Sequence, residues 1–415
     1  MPDQAVPSCP MSLKQISGQD PYPMYEEMRA QGDVIWDEGM QAWLVLSADG
    51  CREMMRTDLD AIRFWTKDLG DIARDIQGTS ALTLLEGEDH RKLHTWWLQQ
   101  YSIAEMEKFR ISDVRPLVNM LVDDFIEKGR ADLVPDYANR LPIRAIATVM
   151  GLPWRNDDWI SELYETMKPI ETFFNYSMAG GAEIVANARA AGRKLGDLLL
   201  PFVEARRGGT GDDMISRMWR DGPTLVPGWD LPNILTNLRH MLFAGSGTTS
   251  HSLASTLYLM MTEEGLIEKL RVGGEKAIRA LVEESLRLHG PVHYRSRRAN
   301  RDFTVAGTEI HADQAIISVQ SAANRDPQRY TCPAQLDLDR ANPRDHIAFN
   351  FGPRTCVGAN LARLEVQETV RVFLERVQDL RFDPDAPPPE FGGLQLRDFR
   401  PLNVLFTPGA VLGAA

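Results

Sequence analysis

Cysteine is scarce. The 415 residues hold four, Cys9, Cys51, Cys332 and Cys356, at spacings that suit neither a disulfide framework nor a Cys-x-x-Cys metal clip. A disulfide-stapled secreted module and a zinc ribbon are set aside, and a reducing cytoplasm is the expected compartment. Long apolar runs are missing as well: none approaches the ~20 residues of a membrane-spanning helix, and Met1 to Pro10 lack the apolar stretch of a signal peptide. Basic excess is the third absence. The formal charge is −12, and no basic cluster interleaved with aromatics occurs, which argues against nucleic acid as a partner. Neither internal repeats nor low-complexity segments are present.

What remains is a chain with 43% hydrophobic residues, enough to bury a large core. The stretch Asp20 to Arg29 opens a helix, with Asp20 as its cap and proline in its first turn. Val34 to Trp36 and Ala42 to Leu46, on either side of Asp37-Glu-Gly39, predict a hairpin. Residues 61–85 carry Phe64, Trp65, Leu82, Leu84 and Leu85 without a steady period and read as an irregular covering loop. From Ile103 to Gly129 and from Asp132 to Gly151, apolar residues recur at three and four, the mark of packed amphipathic helices. Arg206 to Asp213 and Gly222 to Pro232 read as loops. Phe303 to Ile310 alternates around a glycine turn, and Ile316 to Val319 supplies a further strand.

Three stretches carry chemistry. Phe349-Asn-Phe-Gly352-Pro-Arg354-Thr-Cys356-Val-Gly358 sets a cysteine between glycines and just before an apolar helix. Glycine permits a sharp turn or close approach to a flat ligand, and a helix N-terminus with a nearby arginine favours a thiolate, which is a nucleophile or a metal ligand. A buried cysteine at a tight turn is the plain alternative. Second, a long apolar helix from Leu235 to Met261 is oddly polar at its centre, Ala244-Gly245-Ser246-Gly247-Thr248-Thr249-Ser250. Each glycine costs about 1 kcal/mol of helix stability relative to alanine, so either function or close helix packing must account for the pair. Third, His90 and His94 stand at i, i+4 on one helix face; a zinc protease would need Glu where Arg91 stands.

The spacing Phe-x-x-Gly-x-Arg-x-Cys-x-Gly resembles the haem-binding signature of the cytochrome P450 family at every defined position, and other motifs follow in order over residues 20–408. The resemblance implies a mainly α fold with a small β-rich part, a triangular helical prism around a buried haem. Residues 1–19 are then an N-terminal extension, 20–408 a single domain and 409–415 a tail. Cys356 would be the axial iron ligand, with Phe349 and Gly358 completing its loop, and His90, His94, Arg297 and Arg354 would meet the haem propionates, His94 standing where the family has arginine. Ala244, Gly245 and Thr248 match the family's oxygen-activation motif, Thr248 as the proton-delivering hydroxyl. Gly247 takes the place of the motif's acid, so Ser246, Ser250 or water is expected to substitute. The pocket walls would be Leu84, Leu85, Phe173, Phe174, Met241, Ala244, Val292, His293 and Leu394, with a mobile cover ending at Met178 to Gly181. Glu284, Arg287 and Arg340 would form the family's buried scaffold triad.

The activity so implied is insertion of one oxygen atom from O2 into a small hydrophobic compound, an aromatic ether or a terpenoid, by hydroxylation or O-demethylation. The implied cofactor is haem b, with no flavin or nicotinamide held by this chain; electrons would come from a separate ferredoxin and its reductase. The protein is expected to be a cytoplasmic monomer that engages neither membrane nor nucleic acid. Rival readings are a peroxide-driven or non-oxygenating haem-thiolate enzyme and a haem-based binding or sensor protein.

Overall fold

A computed structural model of the protein describes residues 8–9, 12–16, 18–78, 80–176 and 181–413. The chain divides into two compact units. The first gathers Met1–Asp68, Arg279–Cys356 and Glu390–Asp398. Its frame is a six-stranded sheet in the order Ser8–Cys9, Val34–Asp37, Ala42–Val45, Ala315–Ser318, Arg295–Ala299, Ile62–Phe64. The predicted hairpin is its centre: Val34 faces Val45 and Trp36 faces Trp43 in antiparallel register. Val34, Val45, Ile62 and Ile316 bury against Cys51, Met54 and Met55 of the helix Ala48–Arg56, and the central strands are buried on both faces, with Ala42, Trp43, Leu44 and Val45 all buried in succession. Phe303–Val305 and Thr308–Ile310 pair around the turn the glycine predicts.

Glu284 ties this unit together. Arg287 reaches its two carboxylate oxygens at 2.6 and 2.9 Å, and Arg340 adds a bond at 2.8 Å. All three side chains are buried. Such a charge set is sustained only because every oxygen is bonded.

The second unit comprises Leu69–Ile278, Val357–Pro389 and Phe399–Ala415. It is helical apart from a three-stranded sheet of Gln378–Phe382, Asn403–Thr407 and Arg130–Asp132. The helix Leu231–Thr262 contacts Arg140–Met150 and Ala182–Ala205, which in turn packs on Asp157–Tyr176. Its start is sharply defined: Asp230 and Asn233 exchange side-chain and backbone bonds in a capping box, with proline in the first turn.

Two expectations are corrected. The stretch 61–85 is not an irregular loop: Ile62–Phe64 is a strand, Trp65–Leu69 a tight turn of helix and Asp71–Gln77 a helix. That short helix has no strong apolar period because polar contacts hold it, with Asp75 Oδ2 2.6 Å from Arg189 and the Asp75 carbonyl lying where a Cβ on Gly192 would fall. Gly222 to Pro232 is likewise not all loop, since a helix runs Met214–Leu225 and the next begins at Leu231. Gly222 is there for room; a Cβ would strike the Trp229 indole.

Candidate functional site

In the first unit the cysteine loop is shaped by its own backbone. The Cys356 N–H donates to the Phe349 carbonyl at 2.8 Å, Thr355 N–H to Gly352 O at 3.1 Å, and Asn350 Nδ2 to Arg354 O at 3.0 Å. Gly352 makes the turn possible: its φ is +74°, and a Cβ would lie 3.0 Å from the Met55 carbonyl oxygen. Cys356 is half-buried and not part of a disulfide. Two residues on, Gly358 has an ordinary φ of −85°, and a Cβ there would meet nothing within 4 Å among the described residues. Neither backbone strain nor protein packing requires glycine at that position.

Arg297 and Arg354 converge on one carboxylate. Asp58 accepts from Arg297 Nε at 2.8 Å and from Arg354 Nε at 2.9 Å, all three side chains being buried. The Arg297 guanidinium also lies 3.9 Å above the Phe64 ring. Arg295, two residues along the same strand, shares the face of Arg297. Its Nε is buried without a hydrogen-bond partner among the described residues. Burial first, then the Arg297 charge, push its pKa down to about 10, while Cys356 and Asp58 act in the opposite sense. Asp58 is thus shared by two buried guanidinium groups, with the half-buried Arg295 beside Arg297 on its strand.

Val292, His293 and Leu394 are buried in this unit. His293 Nδ1 lies 3.2 Å from the Tyr25 hydroxyl, and its ring sits among Tyr22, Tyr25 and Phe391. Burial and the charge of Arg397 depress its pKa well below the usual histidine value, so the ring is neutral.

In the second unit His90 and His94 lie on the helix Gly87–Gln100, both buried, with rings stacked at 5.2 Å. The group with metal-ligand spacing among the described residues is elsewhere, the exposed Asp302, Glu309 and His311. Leu84 and Leu85 are half-buried, Phe173 and Met241 buried. Phe174 packs on Phe243, ring centroids 4.7 Å apart. Met178 to Gly180 of the expected cover lie outside the described residues.

The hydroxyls of the long helix are mostly turned onto its own backbone. Thr248 Oγ1 donates to Ala244 O and Ser246 Oγ to Leu242 O, each at 2.7 Å. Ser250 Oγ donates instead to Asn139 Oδ1 at 2.7 Å. Gly245 accommodates Ile146, which a Cβ would meet at 3.4 Å. Glu171, from the helix Asp157–Tyr176, lies against Gly247. Sequence reading missed Asp58, Arg295 and Glu171. Only Arg295 carried a signal, the period-two relation to Arg297; the other two act on residues remote in the chain.

The family model described as "Cytochrome P450" matches residues 227–394. The chain is 29% identical over 388 residues to the cytochrome P450 monooxygenase PikC of Streptomyces venezuelae, covering 90% of this chain and 87% of that protein. It is also 29% identical to cytochrome P450-SU2 of Streptomyces griseolus, over 92% of this chain and 90% of that one. Among solved structures, the cytochrome P450 CxnD, described as acting in C–S bond formation in chuangxinmycin biosynthesis, superposes with a TM-score of 0.84 at 22% identity, covering 98% of this chain and all of that chain.

Proposed function

We propose that this chain, which belongs to the cytochrome P450 family, is a monooxygenase that inserts one atom of O2 into a small hydrophobic compound by hydroxylation or O-demethylation. The observation that carries the reading is the complete cysteine loop, Phe349 to Gly358, closed by the bond from the Cys356 N–H to the Phe349 carbonyl.

The residues fit a haem. Its two carboxylates would be held by Arg295, Arg297 and Arg354, the first of which has a buried Nε with no acceptor among the described residues. The bare glycine at 358 suits a flat neighbour. Cys356 Sγ is the group to hold the iron, with His90 and His94 further candidates for the propionates; the haem is of the b type. Bound there, it supplies the activation of dioxygen, a chemistry that side chains lack.

The chain's own part is to position and to handle protons. Thr248 keeps its hydroxyl proton on the Ala244 carbonyl and leaves its oxygen lone pairs available to water. Phe173, Phe174, Met241 and Phe243 put apolar surface without fixed charge on the second unit, which suits an aromatic ether or a terpenoid. Electrons come from a separate ferredoxin and its reductase. No helix among the described residues is long and apolar enough to cross a membrane, and the protein works as a monomer in the cytoplasm.

The test is spectroscopic and then isotopic. The reduced protein with carbon monoxide shows the red-shifted band of a thiolate-ligated haem, and Cys356→Ala loses it. With ferredoxin, reductase, NADH and 18O2, one labelled oxygen appears in the alcohol formed by hydroxylation or, for O-demethylation, in the formaldehyde released. Absence of the band overturns the ligand assignment; a CO complex without oxidation under any donor leaves a binding protein, and turnover with peroxide alone leaves the peroxide-driven enzyme.

A further inference from the structure

The helix Leu231–Thr262 has glycine at 247, yet the position does not lack a carboxylate. A Cβ built on Gly247 would lie 3.3 Å from both Cδ and Oε2 of Glu171 and 3.5 Å from Oε1. Any larger residue at 247 would press on that carboxylate. Glycine at 247 and glutamate at 171 therefore form a matched pair, one making the space the other fills. Ser246 and Ser250, the sequence-based candidates for the missing acid, are committed to Leu242 O and to Asn139.

A histidine stands behind the carboxylate. His251 Nδ1 is 2.7 Å from the Gly247 carbonyl oxygen. A carbonyl only accepts, so Nδ1 carries hydrogen and Nε2 is the atom at which this imidazole gains or loses a proton. Nε2 lies 3.8 Å from Glu171 Oε1 and 3.5 Å from an Arg400 Nη2. His251 is 7% exposed and Glu171 31%, so the glutamate reaches solvent at one side while lying on the helix at the other.

We propose that Glu171 is the proton-relay carboxylate of this enzyme, standing in for the acid that the helix lacks at Gly247, with His251 as its proton reserve; the proposal rests on the monooxygenase reading above. In each transfer Glu171 accepts one proton, from solvent or from His251 Nε2, and becomes a neutral carboxylic acid. It then releases that proton into the groove beside Thr248 and returns to the carboxylate. Neither residue changes its electron count; reduction remains with the external donor.

Two measurements test this. The first needs no turnover. Gly247→Ala raises helix propensity in any background, but in the wild type the new methyl meets Glu171, so the change in melting temperature is less favourable there than in a Glu171→Ala background. Equal changes in both backgrounds overturn the contact. The second is coupling. Glu171→Gln, nearly isosteric, retains the red-shifted CO band and the substrate-induced spin-state change, while product formed per NADH falls roughly tenfold or more, peroxide release rises, and the solvent deuterium isotope effect on product formation grows. Adding Gly247→Asp to Glu171→Ala, which clears the space that residue 171 fills, restores product per NADH relative to Glu171→Ala alone, since the smaller acid now sits on the helix itself. Unchanged coupling and isotope effect in Glu171→Gln overturn the relay. A wild type without the CO band would sink the monooxygenase reading, whereas the melting cycle would still report on the Glu171–Gly247 contact.

Discussion

Asp58 and Glu171 both reach their partners from distant parts of the chain, and they do so in opposite ways. Asp58 is buried and takes one charge-assisted bond from each of two buried arginines, at 2.8 and 2.9 Å. Glu171 is about one-third exposed, and a ring nitrogen of His251 lies 3.8 Å from its carboxylate. In a low-dielectric interior a carboxylate between two guanidinium groups is held in place, and removing it strands their charge. Near water the same kind of contact is screened and weakly held. One carboxylate is built to fix geometry, the other is left loosely held.

The largest effect expected from this contrast is on Asp58. Asp58→Ala leaves Arg297 and Arg354 buried without their shared partner and lowers unfolding stability by about 3–5 kcal/mol, read from denaturant titration. A loss below about 1 kcal/mol would erase the distinction between the two sites. Glu365 offers a third case: both its carboxylate oxygens are buried with no hydrogen-bond partner among the described residues, and burial raises its pKa well above 4.5. The folded protein then keeps a proton that the unfolded chain gives up, so stability declines as pH climbs from the ordinary carboxyl range toward the folded value. Glu365→Gln should remove this decline, which runs at no more than about 1.4 kcal/mol per pH unit; parallel melting-temperature profiles for the two proteins would refute it. The smallest effect belongs to Glu171→Gln, whose unfolding free energy stays within about 1 kcal/mol of wild type while coupling suffers. A larger loss would make Glu171 a structural residue like Asp58.

Legibility in the sequence follows the distance between interacting residues. The cysteine loop was readable because its ten positions are contiguous and its bonds are local, Cys356 to Phe349 and Thr355 to Gly352. The hairpin at 34–46 was readable for the same reason, its register set by a short turn. The Glu284, Arg287 and Arg340 triad was half local: Glu284 and Arg287 share a helix turn, whereas Arg340 was placed only by the resemblance. Residues 61–85 misled because the helix Asp71–Gln77 is held by the Asp75–Arg189 ion pair and the close approach of Gly192, neither of which leaves a local period.

By itself, the sequence determined the helical character of the chain, the cysteine loop and the hydroxyl-rich centre of the long helix, since backbone propensity and near-neighbour bonds act over a few residues. Tertiary structure alone decided where the compensating charges lie. Asp58 meets Arg297 across 239 positions, and Glu171 fills the space that Gly247 leaves on another helix. Coulomb and steric forces act through space, and only the fold brings such residues within a few ångströms of each other.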